Sequence, residues 1–299
     1  MDAPDISVDT KNKIRRIAND MGYVYNRTAA TLRGGKSRTI GILFDSLLNP
    51  FYYIMTNYIW GRLQQEDYNI ITFKNDNLTF NDGMARQILS YHVDGILSFL
   101  EPTKEAVTTI NNNKVPLVLL GRDAHRACDN VFLDDAIGGR MAARHFVELG
   151  CEKPLYIGES EELECSVKRS QGFVEEWRLH GVKATVQFVE SQEEHKYANS
   201  FLKSYQKEKP DCVFCFSDMI AYEVLSAMQQ NKITDVKLCG FDNIQNEIYM
   251  PCGLTSVSYH KQELANIAVD YLLNSIKNKT CGTDLQTILS DFEVVVANT

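Results

Sequence analysis

The chain has 299 residues, 44% of them hydrophobic and 23% charged, with a net charge of −8. That length gives room for two lobes and a sizeable core, and the composition excludes a disordered or fibrous chain. The longest apolar runs are strand-sized, which excludes a membrane-spanning helix from the pattern, and "MDAPDISVDTKNK" lacks the basic-then-apolar order of a secretory signal.

The charge is unevenly spread. Residues 1–38 hold eight cations and four acids, so the first segment is net +4 and the remaining chain net −12. A basic end on an acidic body points to an anionic partner for that end, a solvated tail being the plainer alternative.

In chain order, Ser7 followed by "VDTKNKIRRIANDMGY" predicts a capped helix. Ser7 is the N-cap, Asp9 sits in the first turn, Gly22 ends it, and Ile14, Ile17, Ala18 and Met21 recur at helical spacing. So short an amphipathic helix must pack on something. Next comes "YVYNRTAATLRGGKS", residues 23–37, with three cations, no acid and a run of small residues ending in Leu32.

From Thr39 onward, short apolar runs alternate with helical patterns: "TIGILF", "NIITFK", "DGILSF", "PLVLLG", "PLYIGE", "TVQFVE", "DCVFCF" and "VKLCGF". This alternation predicts an α/β fold of parallel sheets with helices on both faces, and the number of repeats predicts two doubly wound lobes. Asp45, Gly121, Gly158, Ser217-Asp218 and Gly240-Phe241-Asp242 cluster just after strands. Ligands of open α/β sheets bind at that end. "NPF" at 49–51 also suits a helix start, with Asn49 as cap and Pro50 at the first helical position.

The eight cysteines form no metal-type pair of pairs. Cys212 and Cys215 make a C-x-x-C, but "CVFCF" reads as a buried strand with the two thiols on opposite faces. Reduced structural thiols, and with them a cytoplasmic location, are expected. No nucleotide-binding glycine motif, nucleophile elbow or zinc-protease motif occurs. His145 reads as a packed helix residue, and Asp134-Asp135 lacks partners at metal-ligand spacing. No enzyme, metal or cofactor is expected.

Several segments together resemble the LacI/GalR family of bacterial transcriptional regulators. They are "ISVDTKNKIRRIANDMGYVYNRTAATLRGGKSRTIGIL", "NPFYYIM", "VDGIL", "VFLDDAIGGRMAARHFVELG", "KRSQGF", "SDMIAYEVLSAM", "GFDN" and "LTSVSY", and they stand in family order along nearly the whole chain. "NRTAATLRGG" is similar to the maltose-regulator branch. The resemblance implies a periplasmic-binding-protein-like core preceded by a helix-turn-helix and a hinge. By position, residues 1–22 match only the third helix of the DNA-binding domain, so the recognition helix is expected to be missing from this chain. Residues 23–38 match the hinge. The resemblance assigns residues 39–149 with 259–287 to the first lobe, and 150–258 with 288–299 to the second.

The same resemblance implies that Leu32 wedges into the DNA minor groove, flanked by Ala29 and Ala30, with Asn26, Arg27 and Arg33 near phosphates or base edges. Tyr25 stands where the family usually has proline. Between the lobes it implies a sugar-like effector held by Asp45, Asn49, Phe51, Tyr52, Arg169, Ser217, Asp218, Asp242 and Tyr259. That set suits a polyol, with carboxylates accepting from hydroxyls, a guanidinium donating and rings covering apolar faces. Ser217 and Tyr259 replace the family's usual Asn and common Gln, and the loop "VESQEEHKY" lacks the aromatic that some members stack on sugar. The expected partners are operator DNA, the effector and a second copy of the chain, with no membrane. The expected function is an effector-controlled repressor; the alternative is a cytosolic sugar sensor without DNA reading.

Overall fold

Parallel strand pairing and its helical connections account for nearly all of the architecture. A computed structural model describes residues 7–23, 36–46, 48–122, 128–190, 193–282 and 285–297. They fall into two compact units, divided between Arg38 and Thr39.

In the first unit, helix α1 (Val8–Asp20) forms as its sequence predicts. The Ser7 hydroxyl accepts from the Thr10 N–H at 3.3 Å, Asp9 lies in the first turn, and Gly22 follows the helix at φ +64°. Ile14, Ile17 and Met21 are exposed. The hinge residues singled out above (Asn26, Arg27, Ala29, Ala30, Leu32 and Arg33) lie outside the described residues.

The strands of the second unit are β1 (Thr39–Phe44), β2 (Asn69–Lys74), β3 (Thr79–Phe80), β4 (Gly95–Ser98), β5 (Glu101–Pro102), β6 (Leu117–Leu120) and β7 (Asp129–Leu133). They continue with β8 (Pro154–Gly158), β9 (Thr185–Phe188), β10 (Cys212–Cys215), β11 (Lys237–Phe241), β12 (Thr255–Tyr259), β13 (Gln286–Leu289) and β14 (Phe292–Val295). The helices are α2 (Pro50–Gln64), α3 (Asp82–Leu89), α4 (Lys104–Asn112), α5 (Asp135–Glu148), α6 (Glu164–Leu179), α7 (Lys196–Glu208), α8 (Asp218–Gln230) and α9 (Lys261–Asn278).

One six-stranded sheet runs β13-β7-β6-β4-β1-β2 and the other β14-β12-β11-β10-β8-β9; β3 and β5 form a small ribbon. Pairing in the large sheets is parallel except for the antiparallel edge pair β12–β14. Central strands such as "GILS", "LVLL" and "CVFC" are buried at every residue, as parallel strands covered on both faces must be. Helices enter through side-chain caps: Asn49, Asn81, Thr103 and Asp134 each accept from a first-turn N–H. The chain passes between the sheets after β7, after β12 and between β13 and β14. Among the described residues, no helix is long and apolar enough to cross a membrane.

One boundary differs from the expectation. Helix α5, counted with the first lobe, packs on α6 and on β14, β12 and β10 of the second sheet, so the first passage falls at Asp134. The physical reason is that each helix presents a glycine to the other's backbone. A Cβ on Gly139 would stand 2.0 Å from the Arg169 carbonyl oxygen, and one on Gly172 would stand 1.9 Å from that of Ala136. The α5 and α6 backbones therefore touch.

Gly172→Ala should destabilise the protein by about 2 kcal/mol or more through overpacking. Gly61→Ala, in α2 with open space around its missing Cβ, should be neutral or stabilising by up to about 1 kcal/mol. Urea denaturation of the two variants measures both, and an equal loss in each would contradict the contact.

Candidate functional site

The carboxyl ends of both sheets face a cavity of about 310 Å³. From the first sheet it is lined by Asp45 and Ser46 after β1, Phe99 after β4, Gly121 and Arg122 after β6, and Leu133 at the end of β7. From the second it is lined by Glu159 after β8, Phe216 and Ser217 after β10, Asp242 after β11 and Tyr259 at the end of β12. Helices add Asn49, Phe51, Tyr52, Asp135, Cys165, Arg169, Tyr197 and Ile220.

Arg169, in α6, is the centre of the second-sheet wall. Its Nε donates to Asp135 Oδ1 at 2.7 Å and its Nη1 to the Phe216 carbonyl at 2.6 Å. The guanidinium carbon lies 3.4 Å from the Phe241 ring centroid and 4.5 Å from that of Phe216. Arginine alone among the cationic residues offers a planar fork that can donate in-plane while stacking on rings. Burial works against the guanidinium's charge, but the surrounding acidic groups, Asp135 first and Asp242 among the others, together more than offset it and keep the group firmly cationic. Burial also raises the Asp135 pKa, against the pull of Arg169.

Asp242 sits beside this pair at φ +99°, a backbone conformation that residues with a Cβ rarely adopt. It accepts from the Tyr259 hydroxyl at 3.1 Å. Burial lifts its pKa to about 6, with Arg169, Lys261 and Tyr259 pulling the other way.

On the opposite wall, Asp45 carries a buried Oδ1 with no hydrogen-bond partner among the described residues. Its charge, added to burial, raises both the Tyr52 and the Glu159 pKa. Phe51, Tyr52 and Phe99 pack edge to face, forming an apolar patch with ring centroids 5.2–5.8 Å apart. Asn49 serves two ends at once: it caps α2 by accepting from Phe51 N–H at 3.0 Å, and it lines the cavity.

Eight of the nine cavity residues expected from sequence are thus brought together; Asp218 is not among them. At the first position of α8 it turns inward, where Ile244 N–H donates at 2.8 Å and Ser256 Oγ at 2.6 Å. A Cβ at position 240 would lie 2.1 Å from its Oδ1, so Gly240 makes room for the buried carboxylate. Burial, then the nearby Asp242 charge, raises the Asp218 pKa to about 7. Its role is to tie α8 to β12 and to the turn after β11.

A second correction concerns the loop "VESQEEHKY". Its last residue, Tyr197, opens α7 and puts an aromatic ring on the cavity wall, and Phe216 adds another. Asp135, Glu159 and Arg122 were also missed as lining residues. Asp135 was visible as an acid after a strand, but its partner Arg169 lies 34 residues away and emerges only through the α5–α6 contact.

The profile described as "Periplasmic binding protein-like domain" matches residues 143–294, just over half of the chain. The HTH-type transcriptional repressor PurR of Aliivibrio fischeri is 25% identical over 290 residues, covering 90% of this chain and 84% of that protein. The HTH-type transcriptional regulator MalR of Clostridium butyricum is 24% identical, covering 98% and 90%. A solved LacI-family transcriptional regulator from Enterococcus faecium, with bound ribose, superposes at a TM-score of 0.77 with 18% identity, covering 87% of this chain and 97% of that one. The chain belongs to the periplasmic binding protein-like domain family, in its LacI/GalR-type regulator branch.

Two measurements check the geometry of this regulator's cavity. Because Arg169 is paired with a buried acid, Arg169→Ala leaves Asp135 unpaired and should destabilise the free protein by about 3–5 kcal/mol, read from its denaturation midpoint. A ligand-binding test built on that variant would confuse folding with binding.

The second measurement concerns Asp218. Its folded pKa of about 7 lies above the unfolded carboxyl value. Its contribution is therefore full below about pH 4 and is lost as pH rises through about 7. Asp218→Asn should flatten the fall in stability over that window; an unchanged slope would assign it to other groups.

Proposed function

We propose that this chain is a DNA-binding transcriptional repressor whose operator affinity is set by a small, neutral, sugar-like effector in the cavity between the two sheets. The observation that carries the effector class is the donor set. Four carboxylates (Asp45, Asp135, Glu159 and Asp242) face two guanidiniums, of which Arg169 is engaged by Asp135 and the Phe216 carbonyl, and Arg122 donates from Nε to the Phe99 carbonyl. Among the described residues the buried Asp45 Oδ1 lacks a donor, and a ligand hydroxyl would supply one. Surplus negative charge disfavours a phosphorylated ligand, while Phe51, Tyr52, Phe99, Tyr197 and Phe216 offer flat apolar faces of the kind that cover sugar rings. Nothing in this set assembles a nucleophile, a base and an oxyanion donor, which supports a binding role over catalysis.

The names of the relatives support the regulatory half of the reading. Effector binding couples to DNA affinity if it favours one relative orientation of the two sheets, and a ligand contacting both walls has that leverage. The expected assembly is a homodimer formed through α2 and the neighbouring β2 edge, where Tyr53, Trp60 and Tyr91 are exposed. Tyr53 and Trp60 are two helical turns apart and share one face of α2. A regulator of this kind works in the cytoplasm.

Thermal shift with matched neutral and phosphorylated sugars tests the effector class. At least one neutral sugar should stabilise the protein, with its phosphorylated form at least about tenfold weaker. Asp45→Asn should weaken that sugar by about tenfold while leaving the free protein's stability nearly unchanged. Stabilisation by phosphorylated sugars alone would overturn the neutral-effector reading. For the DNA half, selection from random duplexes should enrich one sequence that the same sugar releases. Sugar binding without enrichment would favour a sensor with no DNA-reading role.

A further inference from the structure

At the amino ends of β8 and β10, away from the cavity, Cys151, Asp211 and Cys212 bring two sulfurs and a carboxylate oxygen within 4.8 Å of one another. Cys212 is buried, while Cys151 and Asp211 are half-buried and reach the surface. The carboxylate is held from behind: Glu152 N–H donates to Oδ2 at 2.7 Å and Lys153 N–H to Oδ1 at 2.9 Å. The Asp211 backbone is itself locked between Lys153 O and Lys237 N–H. Hydrogen bonds that fix a carboxylate's orientation while leaving lone pairs outward are the support that metal-ligating acids require.

We propose that Cys151, Asp211 and Cys212 form a binding site for one thiophilic divalent cation of the zinc class, with solvent as the fourth ligand. Two sulfurs at about 2.3 Å from a tetrahedral Zn²⁺ lie about 3.8 Å apart, within reach of the present arrangement after small side-chain rotations. Two thiolates with a carboxylate select a soft or borderline ion over Mg²⁺ or Ca²⁺. Binding gives a net charge of −1, and Lys237 acts on Cys151 from nearby with the opposite sign. On uptake, both thiol protons pass to solvent as the two sulfur–metal bonds form, so affinity falls as pH falls. The ion would tie the segment between α5 and β8 to the start of β10, bracing the second sheet at the end opposite the ligand.

The test uses the reduced 299-residue chain, stripped with chelator and titrated with Co²⁺. One equivalent should produce a thiolate-to-cobalt charge-transfer band with tetrahedral visible bands, and one equivalent of Zn²⁺ should displace them. Cys151→Ser should lose about half of the charge-transfer intensity and weaken binding by at least about tenfold. Asp211→Asn should keep the thiolate intensity and still weaken binding by about tenfold or more. Since both altered residues are half-buried, circular dichroism without metal verifies folding of each variant. No saturable band in the parent chain, or an undiminished band in Cys151→Ser, overturns the site. Closure of Cys151 and Cys212 to a disulfide, with no cobalt uptake by the reduced protein, overturns it equally.

Discussion

The second-sheet wall of the cavity depends on one buried ion pair, Asp135 with Arg169. Both side chains are taken out of water, which costs several kcal/mol per ion before attraction and hydrogen bonds offset it. The pair survives because its geometry leaves little unsatisfied: one short Nε–Oδ1 bond, one bond to a backbone carbonyl, and two aromatic faces on the guanidinium. Such a pair adds little net stability over an apolar substitute. What it fixes is position: Phe216, Phe241 and Asp242 are all set by where Arg169 stands.

That position descends from glycines. Gly139 and Gly172 let α5 and α6 meet backbone to backbone, and only at that distance does the first residue of α5 reach the sixth of α6. Charge, packing and backbone size are therefore one arrangement. The first-sheet wall is built differently, from a capped helix start and a cluster of rings, and one oxygen of its acid, Asp45 Oδ1, has no donor among the described residues. One wall is centred on an ion pair stacked against rings, and the other presents an acceptor to whatever enters.

Where the sequence was readable, the reason is periodicity. Runs such as "TIGILF" and "DCVFCF" announce strands buried on both faces, and Ser7, Asn49 and Gly22 mark helix ends by local hydrogen bonding or backbone freedom. The eight cavity residues were recognised through family resemblance and their place after strands, both one-dimensional signals. What stayed hidden is set by three-dimensional direction. Asp218 stands beside Ser217 in the text, yet one residue's rotation at the start of α8 turns its carboxylate into the core. Tyr197 reads in one dimension as the tail of a polar loop, because nothing local reveals which way α7 faces. The short edge strands β13 and β14 carry no strong pattern, since each gains its place from a single neighbour. The Cys151–Asp211–Cys212 cluster joins positions about sixty residues apart, a spacing that no local motif describes.

Asp242 shows how the backbone constrains the chemistry available to this cavity. A φ of +99° is tolerated easily by glycine, reluctantly by aspartate or asparagine, and poorly by β-branched or bulky residues. Any lineage that retunes its effector by altering this position has few replacements open to it, and glycine would surrender the carboxylate altogether. Divergence in ligand preference should therefore accumulate around the site, at residues such as Ser217, Tyr197 and Tyr52, while position 242 stays nearly invariant for reasons of conformation as much as of recognition.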